Sequence, residues 1–143
     1  MHDNQEIGSQ PAEGSKVAII ACAGTDKALG SVTRTCAFRV VEKLRPKDTV
    51  LVCIPPLVAD VKPYSELVKK NPVIRIDGCA ERCATKIAVK SGAKIKWRVF
   101  MPQSAQKYSL KPDAASDVGV EGEELAEKTA EEIAFQIDKI LGR

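Results

Sequence analysis

Residues 17–45 read VAIIACAGTDKALGSVTRTCAFRVVEKLR. The first six, from Val17 to Cys22, form an uninterrupted apolar run with several β-branched side chains, which is typical of a strand covered on both faces of a parallel sheet. A glycine-containing turn follows, and from about Ala28 to Arg45 the apolar residues recur at helical spacing until Pro46 ends the pattern. A buried strand, a short turn and an amphipathic helix predict the first half of a βα unit.

The same alternation continues along the chain. We predict further strands at about Thr49–Ile54, Val73–Ile76 and Ile95–Phe100, and further helices at about Pro63–Lys70, Cys79–Lys90 and Glu121–Leu141. Pro55 and Pro56 are expected to break the exit of the second strand. Residues 101–120 show no clear period and predict a long loop that covers a site or is disordered. Strands that alternate with helices predict an α/β fold, a single three-layer domain with a mostly parallel four-stranded sheet of the Rossmann-like or flavodoxin-like kind.

The composition suits one globular domain. The chain has 143 residues, of which 44% are hydrophobic and 29% charged, enough to build a core. We expect residues 16–143 to form this domain and residues 1–15 to form a disordered tail. No run approaches the roughly 20 apolar residues of a membrane helix, and the first residues lack the basic and apolar regions of a secretory signal. The sequence therefore predicts a cytoplasmic protein that does not span a membrane.

Charge is unevenly distributed along the chain. The net charge is +3, but residues 113–143 hold nine acidic and three basic residues, so the remainder is distinctly basic. Six basic residues lie between Arg82 and Arg98, and a solvated surface explains them better than an anion-attracting face. Aromatic residues make up only 4% of the chain and do not alternate with these charges, so no base-stacking surface is visible. We therefore predict no nucleic-acid partner.

The five cysteines are the most informative residues for function. In a reducing compartment, such residues are metal ligands, reactive thiols or core residues more often than disulfides. Cys36 lies on the apolar stripe of the first helix, where a free cysteine behaves as a small hydrophobe. Cys22, Cys53 and Cys79 fall at the carboxyl ends of three predicted strands, where open parallel sheets form their ligand crevice. Cys83 follows Cys79 by four residues, which places both sulfurs on one face of the predicted third helix.

The string Ile76-Asp77-Gly78-Cys79, followed by Cys83, resembles the DGC-domain family, a group of small zinc-binding proteins named for this tripeptide. The resemblance covers residues 17–100 and implies a zinc site without an established reaction. This chain departs from the family pattern at the second loop, where Ile54-Pro55-Pro56 replaces a small glycine-containing stretch. The metal ligands that the resemblance implies are Cys22, Cys53, Cys79 and Cys83.

Three kinds of chemistry are compatible with these sulfurs. Four thiolates would close the shell of a zinc ion, and a closed shell favours a structural, storage or transfer role because catalytic zinc keeps one position for water. The same four sulfurs would fit an iron–sulfur cluster. Alternatively, the chain is a thiol-based redox or sulfur-transfer protein in which Cys79, at a helix N-terminus near Arg82, is the nucleophile and Cys83 or Cys22 is the resolving thiol.

Other site types find less support in the sequence. The turn from Gly24 to Ser31 could hold an anion on its backbone N–H groups, but it matches neither common phosphate-loop pattern and is better explained as a helix-entry loop. The only histidine, His2, lies in the predicted tail, so histidine-based acid–base or triad catalysis lacks its central residue. No cysteine has an arginine six residues later, which excludes a cysteine-phosphatase loop. The sequence names no substrate and no protein partner.

Overall fold

The computed structural model describes residues 13–143. Within them, four parallel strands form one sheet in the order β2-β1-β3-β4, with β1 at Val17–Ala21, β2 at Thr49–Val52, β3 at Pro72–Asp77 and β4 at Lys94–Phe100. The helices are α1 (Ala28–Arg39), α2 (Ile54–Val58), α3 (Lys62–Lys70), α4 (Cys83–Lys90), α5 (Met101–Tyr108) and α6 (Gly119–Ile140). The predicted α/β fold with a parallel four-stranded sheet is confirmed.

Helices cover both faces of the sheet, as the continuous apolar strands predict. Side chains alternate along β1, so that Val17, Ile19 and Ala21 join the core formed with α1, α5 and α6. Ala18 and Ile20 point to the other face and join the core formed with α2, α3 and α4. The three-layer arrangement follows because each face of β1 is apolar and each is covered by its own set of helices.

The first helix follows its predicted stripe and ends where expected. It is α-helical through Arg39 and continues as a π-helical segment, Val40–Leu44, before the chain turns ahead of Pro46. The N–H of Arg45 donates to the carbonyl oxygen of Val40 at 2.8 Å, the wide hydrogen bond that a π-helix makes. Cys36 is fully buried on this helix, which confirms its prediction as a core residue.

Three proline-containing segments differ in outcome. The predicted helix that begins near Pro63 is confirmed as α3. β2 ends at Val52, ahead of Pro55 and Pro56 as expected. The sequence did not predict that both prolines lie in the first turn of a helix, α2, where the missing proline N–H would have no helical partner. The predicted long loop at 101–120 is wrong in its first half, since Met101–Tyr108 forms α5 with Pro102 in its first turn.

The remaining elements define the ends of the sheet and of the chain. The predicted last helix is confirmed as α6. β4 is an edge strand, and Trp97 within it is 40% exposed. The proposed tail falls largely in residues 1–12, outside the described residues, whereas the N–H of Gly14 donates to the carbonyl oxygen of Lys70 at 3.1 Å. No helix of residues 13–143 is long and apolar enough to cross a membrane.

Candidate functional site

Each of three adjacent strands is followed by a cysteine at the same edge of the sheet. Cys53 directly follows β2, Cys22 directly follows β1, and Cys79 comes two residues after β3. The strand order places β1 between β2 and β3, so Cys22 is the central member. The N–H of Cys22 donates to the carbonyl oxygen of Ile76 at 2.9 Å, which extends the β1–β3 ladder to this residue. The sheet therefore gathers these sulfurs at its carboxyl edge, as the sequence predicted.

The same edge is a topological switch point. The helix that follows β1 packs on one face of the sheet and the helix that follows β3 packs on the other. β1 and β3 are hydrogen-bonded neighbours, so their two exit loops diverge and leave a crevice between them. In open α/β sheets this is the place where ligands bind. A cavity of about 540 Å³ lies here, and its lining includes Gly78, Cys79 and Phe100.

Cys22 and Cys53 follow strand residues that lie on different faces of the sheet. Cys22 comes two residues after Ile20, which packs on the α4 face of the sheet, and Cys53 comes two residues after Leu51, which packs on the α1 face. Both residues line a second cavity of about 620 Å³, whose wall includes Phe38. Cys53 is exposed and Cys22 is half-buried. The two cysteines therefore line one cavity, although the strand side chains two residues before them lie on different faces of the sheet.

Cys79 does not lie on the helix predicted for it. α4 begins at Cys83, and residues before it form a turn in which the N–H of Arg82 donates to the carbonyl oxygen of Cys79 at 3.1 Å. Arg82 adopts a left-handed conformation, with φ 54° and ψ 48°, which an α-helix cannot continue. The predicted helix from Cys79 is therefore wrong at its start. Cys79 and Cys83 do not share a helix face, and the helix N-terminus belongs to Cys83.

Asp77 explains where α4 begins. This fully buried carboxylate accepts a hydrogen bond from the backbone N–H of Thr85 at 3.2 Å and another from the Thr85 hydroxyl. Thr85 is the third residue of the helix, so Asp77 does from a neighbouring strand what a capping side chain does locally. Its other partner is Nη1 of Arg75, at 2.9 Å. The N-cap position itself is occupied by Arg82, and Asp77 satisfies the first turn of α4 from β3.

Gly78 allows the two exit loops to touch. A Cβ atom at Gly78 would lie 2.9 Å from Cα of Gly30 in the first turn of α1, closer than real Cβ contacts. A Cβ atom at Gly30 would in turn collide with the carbonyl oxygen of Gly24. The backbone that carries Cys79 therefore packs directly on the backbone that follows Cys22. The glycine of the Asp-Gly-Cys motif holds the β1 and β3 cysteines on neighbouring segments.

The charges of Cys22 and Cys79 act on the Cys83 thiol. Burial raises the pKa of the Cys83 thiol, and the neighbouring thiolates of Cys22 and Cys79 raise it further, while Lys86 opposes them. Cys22, Cys79 and Cys83 are thus electrostatic neighbours, and Cys53 is not among the groups that act on Cys83. Burial also raises the pKa of Cys36, far from this edge.

The kind of ligand at this edge suits zinc, but the positions of the described side chains do not form a metal site. Zinc takes four thiolates in a tetrahedron, and four of the five cysteines lie at this edge. Within residues 13–143, however, no three His, Cys, Asp or Glu side chains are placed together as a metal site. The thiols have the chemistry that zinc needs, and holding one ion together would require a change in the positions of their side chains.

Two residues of this site escaped prediction. Arg75 lies inside β3 and is only 5% exposed, and Thr85 is half-buried in the first turn of α4. A signal for Arg75 was present in the sequence, since a charged residue inside the apolar run Val73–Ile76 needs a buried partner, and Asp77 stands two residues away on the same face. Thr85 carries no comparable signal, because its role depends on a carboxylate from another element.

The fold and the site together define a class. This is a three-layer α/β protein whose parallel sheet carries cysteines on the exit loops of neighbouring strands, with an Asp-Gly-Cys turn after the third strand. The DGC domain model matches residues 18–134, so the chain belongs to the DGC domain family. Comparison with curated proteins and with solved structures gave no significant match.

Proposed function

We propose that this DGC domain binds one zinc ion through the thiolates of Cys22, Cys79 and Cys83, with Cys53 as the fourth ligand. The observation that supports this most is that the β1 and β3 exit loops, which bear Cys22 and Cys79, pack against each other. Cys22 and Cys79 also both act electrostatically on Cys83. Thiolates are the ligands that hold structural zinc in proteins. A bound cation would also stabilise the charged form of Cys83 against its unfavourable neighbours.

Four sulfur ligands would leave zinc no position for water. Such a closed shell suits a structural, storage or transfer role and does not suit hydrolysis. Cys53 differs from the others, because it is exposed and follows β2, the outer strand next to β1, whereas Cys22 and Cys79 follow the two central strands. We infer that Cys53 is the ligand through which zinc enters or leaves. A reducing, cytoplasmic location is part of the proposal, since it keeps the thiols available.

The test is the zinc content of the purified full chain. Elemental analysis is expected to find about one zinc per chain, with about four thiols protected from modification until a chelator is added. Cys22→Ser, Cys79→Ser and Cys83→Ser should each lose most of the metal, and Cys53→Ser should bind it more weakly and exchange it faster. Cys36→Ala is the matched control and should keep full zinc content, because Cys36 lies in the core.

The same experiment separates the alternatives. Iron together with acid-labile sulfide would identify a cluster on the same residues. Absence of metal with four thiols freely reactive would overturn the proposal and favour thiol redox or sulfur transfer. That alternative has lost one of its supports, because Cys79 lies ahead of α4 and not at its N-terminus.

A further inference from the structure

Three arginines lie together beside the Asp-Gly-Cys turn, outside the cysteine site. Arg75 of β3 is directly opposite Arg98 of β4 in the sheet register, and both point to the α4 face. Arg82, in the turn before α4, is the third, and it acts electrostatically on Arg75 as Arg98 does. Arg75 is 5% exposed, whereas Arg82 and Arg98 are open to solvent. We call these three residues the arginine cluster.

The arginine cluster has too few negative charges for its positive ones. Asp77 is the carboxylate that pairs with it, at 2.9 Å from Nη1 of Arg75, and Asp77 also binds the N–H and hydroxyl of Thr85. Among residues 13–143, no carboxylate forms an ion pair with Arg82 or Arg98. Three guanidinium groups and one carboxylate leave an excess of about two positive charges.

One hydrogen-bond donor of the arginine cluster is buried without a partner among the described residues. Nη1 of Arg75 donates to Asp77 and, at 3.3 Å, to the carbonyl oxygen of Val99. Its Nε is buried and has no hydrogen-bond partner within residues 13–143. An unpaired buried donor is unfavourable, and like charges directly opposite each other on a sheet are unfavourable as well. Burial lowers the pKa of Arg75, with Asp77 opposing this effect and Arg82 and Arg98 adding to it.

We propose that the arginine cluster binds a phosphate group. A phosphate dianion supplies about two negative charges, which matches the excess, and its several oxygens can accept from more than one guanidinium group. A carboxylate, with one charge, would leave the cluster positive. Arg82 is already oriented, since its guanidinium carbon lies 4.0 Å from the centroid of the Phe100 ring.

Phe100 connects the cluster to the crevice at the switch point. The same ring lines the 540 Å³ cavity together with Cys79, and the charged residues of its wall are Lys27, Lys111 and Asp113, two positive and one negative. A phosphate held by Arg82 would therefore lie at the rim of this cavity. A phosphate ester could place its organic part inside it, next to the cysteine site, whereas inorganic phosphate would occupy the rim alone. Both sources share the same phosphate chemistry.

The experiment measures binding of inorganic phosphate to the full chain by calorimetry, with chloride at equal ionic strength as the reference. Arg98→Gln removes one exposed guanidinium and should weaken phosphate binding about tenfold. Lys94→Gln is the matched control, because it removes the same charge from the opposite end of the same strand, and it should bind phosphate as the unaltered chain does. Without phosphate, Arg98→Gln should melt at a higher temperature, since it relieves the like-charge pair with Arg75.

Each outcome decides the proposal. Phosphate binding that is equal in Arg98→Gln and the unaltered chain, or that does not exceed the effect of chloride, would overturn it. Loss of binding in Arg98→Gln with retention in Lys94→Gln supports it. Phenyl phosphate then identifies the source: tighter binding than inorganic phosphate indicates an ester with its ring in the cavity, and equal binding indicates free phosphate. Zinc content of the same variants should not change, which separates this site from the cysteine site.

Discussion

The position of Cys36 in the core makes its thiol unreactive. It is fully buried between α1 and the sheet, and burial raises its pKa, so both access and ionisation oppose its reaction. We predict that iodoacetamide modifies Cys53 and leaves Cys36 unmodified in the native metal-free chain, whereas both react after denaturation. Peptide mass spectrometry measures this directly. Native modification of Cys36 at the rate of Cys53 would contradict the burial of this helix face.

Gly78 lies so close to the first turn of α1 that no larger side chain fits there. Gly78→Ala would place a methyl group 2.9 Å from Cα of Gly30, where neither backbone can move freely. We expect a loss of about 1–3 kcal/mol in the free energy of unfolding, the usual cost of overpacking. Gly24→Ala is the control, since its added Cβ would make ordinary contacts at 3.5 Å and beyond. Urea denaturation compares them, and equal stability of the two variants would show that the loops do not touch.

At the scale of elements, the start of α4 depends on one buried carboxylate from β3. Asp77→Ala removes the acceptor for Thr85 and leaves the Arg75 charge buried without its partner. We expect destabilisation by about 3–5 kcal/mol, as for other broken buried ion pairs. The milder Thr85→Val removes one hydrogen bond and should cost about 1 kcal/mol. Denaturant titration gives both values.

Hydrogen exchange distinguishes a local role from a general one. In Thr85→Val, amide protection should fall first in the first turn of α4, because that turn loses its hydroxyl contact with Asp77. Asp26→Ala, which removes an exposed carboxylate from the β1 exit loop, is the control and should leave α4 protected. Uniform loss of protection along the whole chain in Thr85→Val would contradict the anchoring role of Asp77.

Elements could be predicted where burial imposes a pattern. The strands follow from continuous apolar runs, since β1 and β3 are covered on both faces. α6 follows from its long apolar stripe. α5 was missed because Met101 is its only fully buried side chain. Ala105 and Tyr108 follow it at helical spacing and pack against the same core, but both are only partly buried. A stripe this short, in a helix of eight residues, is a weak signal in the sequence.

The site was predictable in position and less so in detail. Sheet order brings Cys22, Cys53 and Cys79 to one edge, which follows from parallel strands alone. The start of α4 was misplaced because it depends on the left-handed Arg82 and on a capping carboxylate from another element. Such long-range contacts have no local signature. The position of Cys53 relative to the two faces of the sheet depends on which residue ends β2. Strand ends are among the boundaries that sequence patterns predict least well.

At the scale of the whole molecule, a charged network joins α6 to the segment before β2. The Asp138 carboxylate accepts from Nε and Nη2 of Arg45 at 2.8 and 2.7 Å, and Arg143 bridges Asp138 to Asp48. The hydrogen bond from Arg45 lowers the pKa of Asp138 from 3.8 to about 2, and burial of the carboxylate opposes this effect. This pairing connects the last helix to the edge of the sheet that carries β2.

The lowered pKa gives this network a defined pH dependence. The native state holds Asp138 ionised more strongly than the unfolded state does, so its contribution to stability is complete above the unfolded pKa of 3.8 and disappears as the pH falls toward about 2. Asp138→Asn should therefore be less stable than the unaltered chain at pH 6, and the gap should close between these two values. Urea midpoints at a series of pH values measure it. A gap independent of pH would exclude the ion pair as its cause.

The zinc site proposed at the sheet edge requires sulfur ligands. X-ray absorption at the zinc edge, on the full chain loaded with one equivalent of zinc, counts the ligands and identifies their elements. The account predicts sulfur ligands alone, about four of them at about 2.3 Å. Cys53→Ser should reduce the sulfur count by one and introduce an oxygen or nitrogen ligand. A shell of oxygen and nitrogen atoms in the unaltered chain would contradict the account, because His2 and the surface carboxylates would then be holding the metal in place of the cysteines.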